Sequence, residues 1–504
     1  MNTPIPTSRR DFIRHSALLA GASFFPTKLF AETSAEGLAS HFPASIVSAP
    51  EVALPQGKRE PFGWKTAAVS QTPLILEWKN LPAAAIPTAL RLSVGLDIRD
   101  EKLIEARLAK SGRVLGTFDI RFGCIFQVFS IPLAPGDAAD IRNEGISLYL
   151  TKGSELRVFT HGDSIPAPLQ PHLLVPGSAD PLTEYFARMD SLACIQAFSW
   201  QEGCVLDGLL DLSELPAHAE LKHTAKLHLS RFIIDGKLIY ENHISVISDG
   251  KIYGIEGYLP FAALAKLDPE HPLLDSSLAT LLKRNDAEGA IIDGHHTSSE
   301  GSYTVGYPLA ILGKIRNDEP LQKLALTQLR VRQARLFDGS MFWRTSEPAE
   351  TGGVNKGNRA WSRGIAWQLL GTARTLRELK HREDIGDIIL SFRQLAEFAL
   401  PFQRPDGLWS VFADQPDIAP DTSGSAGIAA AFAIGAREGW LDPSMKQAAA
   451  KTLAGLMPHL TADGFLGGVS QANKSGEGLQ RGNYRVIYQM GMGLMAQLIA
   501  ALDS

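Results

Sequence analysis

The sequence predicts a mainly α protein with an N-terminal all-β domain: a β-sandwich followed by a closed ring of six helical hairpins. Three observations carry this. From about Ser45 to His161, apolar and polar residues alternate, or run apolar for a few positions, between turn residues, which is the period of strands. Beyond a proline-rich stretch the period becomes helical, and roughly twelve helices recur in pairs about every 50 residues. The connections alternate between short ones and long loops rich in Gly, Asp, Trp and Ser, the pattern expected when one rim of a ring carries a site.

The bulk properties agree. With 504 residues the chain is too long for one ordinary core, so two domains are expected. Hydrophobic residues at 45% and charged residues at 20% describe a globular, soluble chain. A net charge of −5 without any basic block argues against nucleic acid as partner.

The N-terminus reads "TSRRDFIRHSALLAGASFF", with Arg9-Arg10 ahead of a short apolar run and "KLFA" as a cleavage site after Ala31. The string Ser8 to Arg14 resembles a twin-arginine export signal, so residues 1–35 are expected to be a signal peptide that directs the folded chain to the periplasm or beyond. The apolar run is too short and too rich in Gly, Ala and Ser to span a bilayer, so no stable membrane insertion is expected. Cys124, Cys194 and Cys204 have neither metal-ligand spacing nor a disulfide framework, and are expected to be buried free thiols.

Residues 36–162 are assigned to the sandwich, with six to eight strands in "TPLILEWKNL", "ALRLSVGLDIRD", "LIEARLAKSGRVLGTFDIRF", "CIFQVFSIPL" and "ISLYLTKGSELRVFT". The turns "KSGR" and "TKGSE" point to hairpins. Residues 163–181, with five prolines, read as a linker. Residues 182–504 carry the expected helices 198–212, 216–233, 256–266, 272–284, 303–315, 319–336, 360–380, 384–402, 423–438, 443–458 and 484–502, with one more at 181–193. The last, "VIYQMGMGLMAQLIAAL", is apolar nearly all round and has to be buried, which favours a closed ring over an open solenoid.

The chemistry concentrates in "NKGNRAWSRGIAWQLLG", Asn355 to Gly371. Arg363 and Trp367 are four apart and share a helix face. A guanidinium beside apolar surface needs an anion or a ring of acceptors. Arg363 therefore meets either a protein carboxylate such as Asp421 or an anionic ligand, with Gly364 allowing a sugar or a helix to come close. Trp343, Trp361, Trp367 and Trp409 are half of the eight tryptophans; they point to a saccharide cleft, the alternative being core fillers. Asp421, Thr422, Ser423 and Ser425 read first as a helix N-cap, whose N-terminus would also favour an anionic ligand. His295-His296 has no third ligand at recognisable spacing, so no metal is expected there, and hydrogen bonding to sugar hydroxyls or loop structure is the reading. His243, beside Asn242, is ambiguous in the same way.

"WSRGIAW" (Trp361 to Trp367) resembles the W-x-R-G-x-[GA]-W string of the unsaturated glucuronyl and rhamnogalacturonyl hydrolases, glycoside hydrolase families 88 and 105. "QRPDGLWSVFADQPDIAPDTSGSAGIAAAFAIG" is similar to their Q-x-x-D-G-L-W segment and the helix start after it. "EGSYTVGYPLAILGK" is similar to the segment with their catalytic aspartate, D-x-x-Y-M-x-x-P-x-L-A. The resemblance covers about residues 190 to 504. It implies an (α/α)6 toroid acting on an oligosaccharide with an anionic sugar, without metal or organic cofactor.

Carried over residue by residue, Glu300 takes the place of the catalytic aspartate, while Tyr303 and Pro308 keep their approximate places. Asp293 is the alternative donor. Glu256 and Asp249 compete for the second acidic position. The histidine expected between the acid and the W-x-R-G string is replaced by Trp343-Arg344 in "MFWRTSE", which puts the exact substrate in doubt. The expected catalytic set is thus Glu300, Asp293 and Glu256. The expected substrate contacts are Arg363, Trp361, Trp367, Trp343, Trp409, His295, His296, Tyr303 and Asp421.

The leading expectation is hydration of a 4,5-unsaturated uronyl residue that ends in glycosidic cleavage. A conventional exo-glycosidase such as a glucuronidase, using two carboxylates, is the alternative. A non-catalytic saccharide-binding protein is the third, since fold alone does not fix function.

Overall fold

Side-chain alternation builds the first half of the chain. In β6 (Glu101–Leu108) buried residues alternate strictly with half-buried ones, so one face enters a core and the other meets solvent. The computed structural model describes residues 37–503 apart from 161–164, 293, 295, 348–355 and 473–475, so the expected signal segment lies outside the described residues. One antiparallel sheet has the order β2 (Ser45–Ser48), β4 (Leu74–Glu77), β9 (Ile146–Lys152), β6 and β7 (Val114–Arg121). The other runs β1 (Ser40–Pro43), β11 (His172–Val175), β5 (Ala89–Ser93) and β8 (Val128–Pro132). A pair of β3 (Thr66–Val69) and β10 (Leu156–Phe159) completes this half.

Two local expectations need correction. "KSGR" does close the β6–β7 hairpin, with Gly112 at φ +73°. "TKGSE" closes none: β9 already has β4 and β6 on its two edges, so β10 must pair with β3 instead. The stretch 163–181, read as a linker, contains β11, which lies between β1 and β5. Its four residues are too few to show a period, and Pro171 and Pro176 sit just outside it, where a missing N–H does not break the ladder.

Among the described residues, twelve helices of nine residues or more follow in alternating roles. The inner set is α2 (Trp200–Ser213), α4 (Leu259–Leu267), α6 (Tyr307–Ile315), α8 (Ser362–Glu378), α10 (Thr422–Arg437) and α12 (Gln489–Asp503). The outer set is α1 (Pro181–Met189), α3 (Leu221–Phe232), α5 (Leu273–Leu281), α7 (Glu319–Leu336), α9 (Gly386–Ala399) and α11 (Ser444–Leu456). Each inner helix packs on the next, and α12 returns to α2, which closes the ring. This is an (α/α)6 toroid. Its inner helices are buried over most of their length, as the apolar last helix requires. Among the described residues no helix is long and apolar enough to cross a membrane.

A polar hub ties the inner helices together. The fully buried Arg374 guanidinium of α8 binds Asp207 (3.2 Å) and Asp211 of α2, the Tyr307 hydroxyl of α6 (2.7 Å) and Gln497 of α12 (2.9 Å). Burial alone would raise the Asp211 carboxyl, but Arg374, Arg377 and Lys266 hold it down at about 2.

A second buried cluster joins sandwich to ring. Asp463, on the loop after α11, accepts from Arg91 of β5 (2.7 and 2.6 Å) and pairs with His41 of β1 at 2.9 Å. Burial would raise its carboxyl, yet Arg91, the His41 hydrogen bond and Arg188 outweigh this and hold it well below the ordinary range. A carboxylate depressed in the folded state stabilises above its unfolded pKa of about 3.9, and that contribution is lost as pH falls through the folded value. Asp463→Asn is therefore expected to cost about 3–5 kcal/mol at neutral pH by leaving Arg91 buried without its anion. Denaturant titrations across pH should show the deficit shrinking only below about pH 4. A variant as stable as the parent at pH 7 would contradict this.

Candidate active site

The six long connections all run from an outer helix to the N-terminus of the next inner one, so the loops rich in Gly, Asp and Trp gather on a single rim. Glu300 stands there, just before a π-helical turn (Ser302–Gly306) that leads into α6. Such turns occur often at functional sites. Gly371 of α8 lets this turn approach: a Cβ there would fall 2.3–2.5 Å from the backbone of Ser302 and Tyr303. The residue has to be glycine for Glu300 to sit where it does.

Glu300 is 5% exposed. Its Oε1 accepts from Nε of Arg344 at 2.6 Å and lies 2.6 Å from Nη2, while among the described residues Oε2 receives only the Ser299 hydroxyl at 3.4 Å. Arg344 lies on a short strand (Trp343–Ser346) between strands 297–298 and Lys356–Arg359, and its carbonyl accepts from Ser299 N at 2.9 Å. Burial disfavours the Arg344 cation, but Glu300 and then Glu256 outweigh it and raise its pKa. Glu256, half-buried at the turn before α4, thus acts on the same guanidinium as Glu300.

Trp361 stands beside them. Arg344 lies 5.3 Å and Arg363 4.9 Å from its ring centroid, and its Nε1 has no hydrogen-bond partner among the described residues. Arg363 is 1% exposed. It donates to the carbonyls of Ser470 (2.9 Å) and Gln471 (3.0 Å) and to the Ser423 hydroxyl (3.3 Å), with Asp421 at 3.6 Å. Of the two partners open to Arg363, the structure supplies the protein's own.

Several expected substrate contacts are otherwise engaged. Asp421 is fully buried; it caps α10 through Ser423 N and also accepts from Ser470 N and Oγ. Trp409 is fully buried, with its indole N–H on the Ala399 carbonyl, and belongs to the core. Tyr303 is fully buried and donates to Asp207 at 2.6 Å, so it serves the hub below the rim. Trp367 is 3% exposed, stacked on Tyr303 and edge-on to Trp200. Where Gly364 was expected to admit a sugar or helix, a Cβ would meet the Trp361 ring, Ser299 and Phe342 at 3.1–3.4 Å. Asp249 is held by two 2.8 Å bonds from Arg59 of the sandwich half, apart from Glu300. Trp343 and His296 are half-buried near the rim, and Asp293 and His295 lie outside the described residues.

Two residues here are absent from the expected substrate contacts: half-buried Trp200, which opens α2 beside Trp367 and Tyr488, and Arg344, which the sequence marks only as the replacement of an expected histidine. The signal for Arg344 was strand alternation in "MFWRTSE", which puts Trp343 and Arg344 on opposite faces. The sandwich also reaches this rim. Gln489 donates to the Phe126 carbonyl (2.7 Å), Gln127 to the Ile487 carbonyl (3.2 Å) and Gln471 to the Arg121 carbonyl (3.0 Å).

Residues 302–501 match the family model described as Glycosyl Hydrolase Family 88. This indicates a glycoside hydrolase. Among solved structures, a possible member of the GH105 family from Salmonella enterica serovar Paratyphi A is similar, with 16% identity and a TM-score of 0.53 over 61% of this chain and 83% of that one. A family 105 glycoside hydrolase from C. acetobutylicum shares 19% identity at a TM-score of 0.54, covering 64% and 99%. An unsaturated glucuronyl hydrolase specific for heparin shares 16% at 0.50, covering 63% and 94%. Identities this low establish a shared fold. No curated protein matches the chain.

Removal of the Arg363 guanidinium should damage the fold before it damages catalysis. Arg363→Ala leaves Asp421 buried without its cation and should lose about 3–5 kcal/mol in chemical denaturation. A variant within about 1 kcal/mol of the parent that instead shows only a raised KM would assign Arg363 to substrate.

Proposed function

We propose that this glycoside hydrolase is exported and acts on uronate-containing oligosaccharides, hydrating a 4,5-unsaturated uronyl residue. The observation that carries the reading is the placement of Glu300 at the inner-helix rim, among Arg344, Glu256 and Trp361. In this reaction Glu300 delivers a proton to C4, water adds its oxygen at C5 and its spare proton returns to Glu300. The hemiketal then opens and releases the next sugar. A guanidinium beside the acid suits a substrate that carries a carboxylate.

One observation favours a second reading. Glu256 and Glu300 act on one guanidinium, so the pair could work as base and acid of a conventional glycosidase on a saturated uronate. It would be inverting if the carboxyls stand about 6.5–9.5 Å apart. Product analysis on a panel of uronyl oligosaccharides separates the two. Loss of the ultraviolet band of the unsaturated uronate supports hydration, and release of a saturated uronate supports the alternative. In either case Glu300→Gln should lower kcat by about 10²–10⁴-fold while keeping a folded circular-dichroism spectrum. A fully active variant would remove Glu300 from the chemistry.

Export by the twin-arginine route is supported by the Ser8–Arg14 string. Replacing Arg9 and Arg10 together by lysine should leave the protein in the cytoplasmic fraction, and unchanged periplasmic recovery would refute the route.

A further inference from the structure

Arg344 holds its partner in an incomplete way. Its Nε and Nη2 both lie 2.6 Å from one oxygen, Oε1 of Glu300, whereas a guanidinium fork matches a carboxylate best when each nitrogen meets its own oxygen. A ligand carboxylate offers that better match. Of the two cations beside Trp361, Arg344 is the more accessible: its side chain is 21% exposed, against 1% for Arg363. Next to it, the Trp361 indole N–H is a second donor without a partner among the described residues. The backbone of Arg344 is fixed in the three-stranded sheet.

We propose that Arg344 is the carboxylate receptor of this site, and that an anionic sugar frees Glu300 to carry a proton by taking over its guanidinium. The inference rests on the proposed action on uronates and adds the residue that selects them. In the resting pair Glu300 Oε1 accepts from Arg344 Nε, with Nη2 equally close. When the ligand carboxylate replaces it, Glu300 takes one proton from solvent, so the ion pair and the acid are never demanded at once. During turnover that proton passes to the substrate carbon and water restores it. The other charges around the pair are Glu256, which acts on Arg344, and Arg332 of α7, which acts on Glu300; Arg363 lies against the same tryptophan, with Asp421 beside it.

Calorimetric titration with D-glucuronate and with its neutral methyl ester, at pH 6 and 7 in buffers of different ionisation enthalpy, tests this without turnover. The acid should bind the parent on the order of 10- to 100-fold more tightly than the ester, the span of a hydrogen bond to a charged group. Its binding should take up as much as about one proton per site, an uptake that disappears in Glu300→Gln. Arg344→Gln should lose the preference for the acid, and Arg344→Lys should keep part of it. Equal binding of acid and ester by the parent, acid binding without proton uptake, or no binding of glucuronate would each overturn the proposal. Uptake and acid preference without hydrolysis of any unsaturated uronyl substrate would keep the handover and retire the hydration chemistry.

Discussion

A charge removed from water has to find its counter-charge, and inside this ring that demand falls first on Arg374. The guanidinium is surrounded by groups from α2, α6 and α12, so one side chain of α8 fixes how four of the six inner helices approach one another. Burying ions is costly unless the pairing geometry is good, so such a cluster adds little net stability although it joins four helices. Tyr303 belongs to the same hub through Asp207, and Tyr303 continues the turn that begins just after Glu300. The position of the acid at the rim is therefore set by pairing in the interior.

The same rule, applied at the rim, separates two arginines that look alike. Arg363 is enclosed by carbonyls, a hydroxyl and Asp421, and holds the loop at Ser470–Gln471 against α8. Arg344 has only carboxylates that are themselves candidates for chemistry. Both lie against Trp361. Two cations can thus share an aromatic ring while differing in exposure and in the kind of acceptor each meets.

The sandwich is part of this arrangement and not a loose appendage. Its Arg91 and His41 enclose Asp463, and its residues 121–127 hydrogen-bond to the segments that lead into α12. Phe122 and Phe126 there adopt left-handed backbone conformations, at φ +51° and +67°, which are unfavourable for bulky residues. Phe126 is held by stacking with Phe62 and Phe159. Aromatic packing within the sandwich half offsets local preference, a conflict no window of sequence displays.

The order of strands and helices, the pairing of helices about the ring and the rim that carries the long loops were legible in the sequence, because each depends on periodicity and on Gly and Pro punctuation along a local stretch. The expected helix 319–336 and the observed α7 coincide. What failed locally were the "TKGSE" hairpin and the linker at 163–181, both decided by which sheet edges were already occupied. The residues of the site were legible as types but not as roles. Trp409, Tyr303, Asp421 and Arg363 carry the right chemistry for a sugar, yet their polar atoms are bound to protein partners as far as 194 positions away. Only the tertiary structure decides such partners, because burial and counter-charge are properties of the assembled ring, whereas the period of a helix or strand is a property of the chain itself.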